Sequence, residues 1–225
     1  MLPPGENPVP PLMTRDERVV VFPPVEQPLL QSEWCSFQEA GRIPDGLRLG
    51  VHWMNEPEYS GRYYGSGKGV TGCPPPTFRH TRLNAERASR PNYWPDFWTY
   101  SAYYIFSPRF MDILDQEAPG AFDKVPMRIE DKDGNLIRDD YYYADVVLSR
   151  NVIDWANSVV AYEYMRGDSP MPTPSRIFLR EDPTSGINIV RDVHRPSYVF
   201  IRRSLADKIG IIKPKITNLH LHPVW

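Results

Sequence analysis

Cysteine is nearly missing from this chain, which has only Cys35 and Cys73 among its 225 residues. Two cysteines cannot build the dense disulfide framework of a small secreted domain, and these two do not form a C-x-x-C pair. In a reducing compartment both are expected to be free thiols.

Long hydrophobic runs are missing as well. No apolar stretch approaches the roughly 18 residues that a membrane-spanning helix requires. The start of the chain, MLPPGENPVPPLMTRDERVVVF, lacks the basic segment followed by an apolar one that marks a secretory signal. We therefore expect a cytoplasmic protein that has no membrane partner.

A strong net charge of either sign is also absent. The formal net charge is -2 and the pI is about 6.2. Proteins whose main partner is nucleic acid usually carry an excess of positive charge. We therefore predict no nucleic-acid partner, although four arginines near the C-terminus are interleaved with aromatic residues. These are Arg191, Arg195, Arg202 and Arg203.

No catalytic motif stands out. GKGVTG, at 67–72, has the glycine spacing of a dinucleotide-binding loop, but the CPPP that follows prevents the helix that would hold a phosphate. The serines lack a G-x-S-x-G elbow. His220 and His222 would share one face of a strand, as metal ligands can, with Leu219 and Leu221 on the buried face, but no third ligand is near. We therefore predict no enzyme, no catalytic residue, no metal and no cofactor.

Proline, by contrast, is abundant, with 25 residues, about twice its average usage. Prolines and glycines concentrate before residue 95, in an extended tail and in a long loop between Glu56 and Pro76. After that point, short β-branched and aromatic strands dominate. We predict an α+β fold with a mainly antiparallel sheet and a few short helices. A loop-rich, proline-rich N-terminal region would span residues 1–95, and an α+β domain residues 96–225.

A strand followed by a helix and a second strand occurs twice in the sequence. In YYIFSPRFMDILDQEAPG, at 103–120, Ser107 is the predicted N-cap and Pro108 the first helical residue. YVFIRRSLADKIGIIKP, at 198–214, has the same order, with Ser204 as the predicted cap. Two such units would pack their helices on one face of a shared sheet. This arrangement is common, so a chance match explains the pattern equally well.

An acidic segment surrounds a predicted β-hairpin. Residues 112–145 include 10 acidic and 4 basic side chains, and Asp133-Gly134 is a strong turn signal between two strands. Such charges often only keep a hairpin soluble, but they can also steer a basic protein partner. The candidate partner-binding residues are Glu130, Asp131, Asp133, Asp139, Asp140 and Tyr142.

Three segments in residues 96–225 carry a family resemblance. They are YYIFSPRFMDILDQEAPGAFDKVPMRI, then YYYADVVLSRNVIDWANS, then RIFLRE followed by YVFIRRSLADKIGI. In this order they resemble bacterial immunity proteins that accompany polymorphic or secreted toxins, in particular immunity protein family eleven. The N-terminal half adds nothing to the resemblance.

The resemblance implies a protein that is not an enzyme and that binds one cognate toxin, blocking its active site or another essential surface. It carries over no catalytic residues. An inhibitor needs a surface of complementary shape and charge, which agrees with the lack of catalytic motifs. Two other classes stay open: a metal-dependent hydrolase using His220 and His222, and an assembly protein of a phage or secretion system.

Overall fold

The computed structural model describes residues 33–40, 51–55, 67–80, 94–100, 103–163 and 171–224. In chain order its elements are β1 (Trp34–Glu39), β2 (Val51–Trp53), β3 (Thr77–His80), β4 (Phe97–Tyr100), β5 (Tyr103–Phe106), α1 (Pro108–Glu117), β6 (Phe122–Glu130), β7 (Leu136–Val146), β8 (Ser149–Arg150), β9 (Val159–Glu163), β10 (Met171–Arg176), a 3-10 turn (Asp182–Thr184), β11 (Ile189–Asp192), β12 (Val199–Arg202), α2 (Arg203–Ile211) and β13 (Leu219–Pro223).

These strands form two large sheets and one two-stranded ribbon. The central sheet has the order β2-β3-β6-β7-β5-β4, the terminal sheet has the order β13-β1-β12-β11-β8, and β9 pairs with β10. One pairing in each large sheet is parallel, β3 with β6 and β8 with β11. The predicted α+β class is confirmed, whereas the emphasis on antiparallel pairing is not, because both large sheets are mixed. No helix in the described ranges is long and apolar enough to cross a membrane.

The two strand-helix-strand units have the same topology. In the first unit, β7 lies between β5 and β6 and is antiparallel to both. In the second unit, β1 lies between β12 and β13 and is again antiparallel to both. Each unit is therefore a β-α-β motif that is split by one inserted strand. The prediction of a shared sheet is wrong, because the units lie in different sheets.

What the two units share is a hydrophobic cluster between the sheets. Phe110 and Leu114 of α1, Leu205 and Ile209 of α2, and the inward faces of both sheets all pack in it. The opposite face of each sheet carries a second cluster of its own, around Trp53, Phe78 and Tyr143 in the central sheet and around Trp34, Trp155 and Phe200 in the terminal sheet. Both sheets are thus buried on two faces, which explains why many of their strands are apolar throughout.

The N-terminal ends of the two helices are capped differently. The Phe110 N–H donates to the Ser107 side chain at 3.3 Å, and Pro108 is the first residue of α1, as predicted. The prediction that Ser204 caps the second helix is wrong. Arg202 is the N-cap of α2 and makes no capping hydrogen bond with its side chain, and Ser204 lies inside the helix.

Strands from before residue 95 contribute to both large sheets. β1 lies inside the terminal sheet, and β2 and β3 extend the central sheet beyond β6. The division at residue 95 stays a prediction. The proline-rich start of the chain lies outside the described residues.

Asp96 links α1 to the segment that leads into β13. Its carboxylate accepts hydrogen bonds from the Ser107 hydroxyl at 2.6 Å, from the Arg109 guanidinium at 2.5 Å and from the Thr217 N–H at 2.9 Å. Burial opposes ionisation, but these hydrogen bonds outweigh it, so the pKa of Asp96 lies below its ordinary value.

We expect Asp96→Asn to lower the free energy of unfolding at pH 7 by about 1–3 kcal/mol, since hydrogen bonds to a charged group are lost. A depressed folded-state pKa stabilises the fold above the unfolded pKa, about 3.9, and this stabilisation disappears as the pH falls through the folded pKa. Urea unfolding at pH 7, 5 and 3 should therefore show a gap between wild type and variant that is constant down to pH 5 and narrows by pH 3.

The control is Asp112→Asn, since Asp112 is an exposed residue of the same segment. It should unfold like the wild type at every pH. A gap for Asp96→Asn that stays constant down to pH 3 would contradict the assigned role of the carboxylate.

Candidate partner-binding surface

The acidic residues chosen from the sequence lie on the hairpin formed by β6 and β7. Asp131 shapes its turn, because its carboxylate accepts the N–H groups of Asp133 and Asn135 at 2.8 and 2.9 Å. Gly134 has a φ of 86°, which a residue with a side chain rarely adopts. Asp131 is therefore a turn-forming residue, and the Asp-Gly hairpin turn is present as predicted.

Glu130 is buried at the end of β6 and is enclosed by arginines. Its carboxylate accepts a hydrogen bond from Arg79 at 2.8 Å and another from Arg128 at 3.0 Å. The Arg79 hydrogen bond, with Arg128 adding to it, holds the pKa of Glu130 below its ordinary value. Since its side chain is only 9% exposed, Glu130 serves to hold β3 and β6 together at this end of the sheet.

Asp140 is also paired, in this case on the surface of β7. The Arg138 guanidinium donates two hydrogen bonds to it at 2.8 and 2.5 Å, and the Arg138 hydrogen bond lowers the pKa of Asp140. The same guanidinium lies over the rings of Trp94 and Tyr141, 5.5 and 5.1 Å from their centroids. These cation–π contacts hold the Arg138 guanidinium, and with it the ion pair with Asp140, in one orientation.

The remaining candidates differ in how available they are to a partner. Asp133 is exposed and pairs only with its neighbour Lys132 among the described residues. Asp139 is exposed and has no ion pair in the same ranges. Tyr142 is half-buried, packs against the cluster between the sheets and has the Lys124 ammonium 5.0 Å from its ring centroid.

One further residue of the hairpin is available to a partner, and sequence reasoning did not select it. Leu136, at the start of β7, is 45% exposed and lies opposite Glu130. An exposed apolar side chain of this size can contribute buried area to a protein interface. The hairpin tip therefore offers Leu136, Asp133 and Asp139 to a partner, while Glu130 and Asp140 are neutralised by arginines.

The backbone N–H groups of the glycine-rich loop donate hydrogen bonds to two carboxylates of the same chain. Asp123 accepts the N–H groups of Val70 and Thr71 at 2.6 and 2.7 Å, and Asp145 accepts the N–H of Gly69 at 3.1 Å. Partial burial raises the pKa of Asp123, but the hydrogen bonds from Thr71 and Val70 outweigh it and bring the pKa below its ordinary value. These hydrogen bonds attach the glycine-rich loop, residues 67–72, to β6 and β7, and we call this attached loop the clasp. The next element in the described chain is the strand β3, not a helix.

A buried ion pair joins the two large sheets, and sequence reasoning missed it. Arg191 of β11 donates to Asp145 of β7 at 2.5 Å and to the Val146 carbonyl at 2.8 Å. Both charged side chains are almost fully buried, at 2% and 1% exposed. Burial raises the pKa of Asp145, while the Arg191 charge acts in the opposite direction. Because buried charges are rarely stable alone, the buried aspartate in ADVVL could only have been recognised together with its distant arginine.

Other arginines of the C-terminal segment are also engaged within the fold. Arg202 lies 4.6 Å from the Trp34 ring centroid and donates to the Thr184 carbonyl at 2.6 Å. Arg195 lies 5.9 Å from the Trp155 ring centroid. Together with the burial of Arg191, these contacts remove much of the basic surface that the sequence pattern suggested.

The remaining chemical candidates are two histidines and two cysteines. His220 and His222 are exposed on one face of β13, with Leu219 and Leu221 on the other, as predicted. Within the described ranges, no group of three histidine, cysteine, aspartate or glutamate residues is placed to hold a metal ion. Both cysteines are free, and burial raises the pKa of the Cys35 thiol, which disfavours a reactive thiolate.

A comparison with known protein families gives a match over most of the chain. The family model of the Immunity protein family (Imm11) matches residues 31–224. The match begins well before residue 96, so it also includes β1, β2 and β3, which the sequence resemblance did not cover. No curated protein matches the chain.

We expect Gly69→Ala to destabilise the protein strongly. Gly69 has a φ of 78°, and a Cβ there would overlap the Asp123 carboxylate. The left-handed conformation alone costs a residue with a Cβ about 1–2 kcal/mol, and displacing the clasp adds about 1–3 kcal/mol of lost hydrogen bonding. Urea unfolding of the variant measures the sum.

The matched control is Gly186→Ala. Gly186 has a φ of 69°, and no neighbouring atom lies within 4 Å of the position that the alanine Cβ would take. The control should therefore show only the conformational cost. Equal losses for the two variants would mean that the contact with Asp123 is unimportant.

We also expect no nucleotide to bind the glycine-rich loop, because its N–H groups already bind Asp123 and Asp145. Thermal unfolding with millimolar ATP, GTP or NAD should leave the Tm unchanged. A reproducible rise in Tm with any of the three would contradict the assignment of the loop as a clasp.

Proposed function

We propose that this chain, which belongs to the Immunity protein family (Imm11), acts in the cytoplasm of a bacterium by binding one cognate toxin and blocking it through direct protein contact. The binding surface is the tip of the β6-β7 hairpin, with Leu136 as its apolar centre and Asp133 and Asp139 beside it. The function is inhibitory and involves no catalysis. The observation that carries the proposal is the family match over residues 31–224.

The exposed leucine supports the choice of surface. Leu136 is one of four large hydrophobic side chains among the described residues that are strongly exposed, and the others, Met54, Val193 and Ile211, lie outside the hairpin. Burying such a side chain fully in an interface contributes about 1.5–3 kcal/mol. Burial of Leu136 would therefore contribute to the affinity for a partner, and the charged residues beside it would orient that partner.

The charges of the hairpin suit a basic partner. Asp139 has no ion pair in the described part of the chain, and its exposed carboxylate can attract an arginine or lysine of a toxin that acts on an anionic substrate. The paired residues Glu130 and Asp140 are less available, since a partner would first have to displace Arg79 or Arg138. We therefore assign them to holding the hairpin in shape.

The first test is a binding measurement with the product of the gene next to this one, which for an immunity gene should encode the toxin. We expect Asp139→Lys to lower the association rate about tenfold at low salt and to weaken its salt dependence, because steering by charge is screened over about 8 Å at physiological ionic strength. Surface plasmon resonance at two salt concentrations measures both effects. The control is Glu181→Lys, at an exposed position outside the hairpin.

A second pair of variants separates the apolar contribution from the charge. Leu136→Ala should raise the dissociation rate and cost more than about 1 kcal/mol of affinity, as a central interface residue does. Ile211→Ala, at a residue that is 76% exposed outside the hairpin, should have no effect. If the toxin binds wild type, Asp139→Lys and Leu136→Ala equally well, the hairpin is not the binding surface, although toxin binding itself stands.

A further inference from the structure

The outer edge of β13 pairs with no other strand in the described part of the chain. β13 is the end strand of the terminal sheet and pairs on its inner side with β1. At the two ends of this ladder, the Ala40 N–H donates to the Asn218 carbonyl and the Val224 N–H donates to the Trp34 carbonyl. The residues of this segment that bond to β1 are thus the even-numbered ones, because bonded positions alternate along an antiparallel strand.

The odd-numbered residues of β13 therefore point their backbone groups away from β1. These groups are the N–H and C=O of Leu219 and Leu221 and the C=O of Pro223. No strand that the structure describes pairs with them, and α2 packs over β1 and β12. The sequence LHLHP has no lysine or acidic residue, and the one edge-protecting residue it carries is Pro223, at the end of the strand.

We propose that β13 pairs antiparallel with β13 of a second copy of this chain, and that one zinc ion bound by His220 and His222 of both copies stabilises the dimer. The inference does not depend on toxin binding. It concerns a different edge of the molecule from the β6-β7 hairpin.

The free backbone groups of β13 are complementary to themselves. When Leu221 lies opposite Leu221 of the second copy, the two residues exchange two N–H to C=O hydrogen bonds across a two-fold axis. The Leu219 N–H then meets the Pro223 C=O of the second copy, and the symmetric bond forms as well. The outward N–H groups of β13, those of Leu219 and Leu221, are thus all hydrogen-bonded. Pro223 has no N–H, so it leaves no donor unpaired. A two-fold contact of this kind closes on itself, as in most homodimers.

The same register brings four imidazoles together. His220 and His222 are exposed on one face, with ring centroids 5.9 Å apart. His220 would lie opposite His222 of the second copy at a non-hydrogen-bonded position, where Cα atoms are about 4.5 Å apart and side chains are closest. Zinc prefers four ligands in a tetrahedron and binds imidazole nitrogen at about 2.0–2.1 Å. One chain supplies only two of these ligands, and the second copy supplies the other two.

The strand contact alone is too small for a stable dimer. β13 has five residues, and pairing along so short an edge buries less than the roughly 1,200 Å² of a stable interface. We therefore expect a monomer without metal and a dimer with zinc.

The test is light scattering coupled to size-exclusion chromatography of the untagged full chain, after EDTA treatment and after addition of zinc chloride. We expect a monomer that becomes a dimer on adding half an equivalent of zinc per chain and reverts with EDTA. With Co²⁺ as a spectroscopic probe, the strong visible absorption of a tetrahedral site should appear. A chain whose mass does not change with zinc overturns the proposal and leaves the edge for a strand of another protein.

Two sets of variants test the two parts of the site. Replacing both histidines with alanine should abolish zinc-dependent dimerisation without changing the fold, since both side chains are exposed. Leu221→Pro removes the outward N–H but keeps the histidines, so it should weaken the dimer at least tenfold. Leu221→Ala, which loses the same side-chain packing but keeps the N–H, is its control. Zinc-dependent dimers that persist without both histidines would overturn the proposal, as would a dimer constant that is the same in the two Leu221 variants.

Discussion

The buried ion pair between Arg191 and Asp145 holds the two large sheets against each other. Arg191 belongs to the terminal sheet and Asp145 to the central sheet, and their side chains meet where almost no solvent reaches. Removing one partner of such a pair commonly costs about 3–5 kcal/mol, because the other charge is left buried alone. Asp145 also accepts the Gly69 N–H, so the same carboxylate joins the contact between the sheets to the glycine-rich clasp.

Other aspartates also connect separate segments of the chain, through hydrogen bonds to their carboxylates. Asp123 binds the clasp, Asp96 binds the N-terminal end of α1, and Asp192 accepts the N–H groups of Val152 and Ile153 at 3.1 Å each and those of His194 and Arg195. Asp123 and Asp192 each accept several backbone N–H groups of an irregular segment. Asp96 accepts one backbone N–H, from Thr217, together with the side chains of Ser107 and Arg109. A chain with many prolines has fewer regular backbone hydrogen bonds, and these carboxylates take over part of that role. These three acidic side chains are therefore structural.

Local signals in the sequence predicted local structure well. Ser107-Pro108 located the start of α1, Asp133-Gly134 located the hairpin turn, and the alternation of LHLHP located the exposed histidines.

Properties that depend on distant parts of the chain could not be read in the same way. The pairing of β3 with β6 is parallel, and the partner of Asp145 lies 46 positions away. The six candidate partner-binding residues stay a prediction. Their pairing could not be read from the acidic residues alone, because Glu130 and Asp140 look like free acids until Arg79 and Arg138 are placed beside them.

The position of β1 in the terminal sheet has a consequence for how the protein folds on the ribosome. β1 is made well before its neighbours β12 and β13, which come later in the chain than every other strand of the two large sheets. Contacts between residues so far apart in the chain form slowly, and until they form the β1 strand WCSFQE has neither of its pairing partners. The terminal sheet can therefore close only after β13 has left the ribosome, whereas the β6-β7 hairpin, whose strands are adjacent in sequence, can form earlier in synthesis.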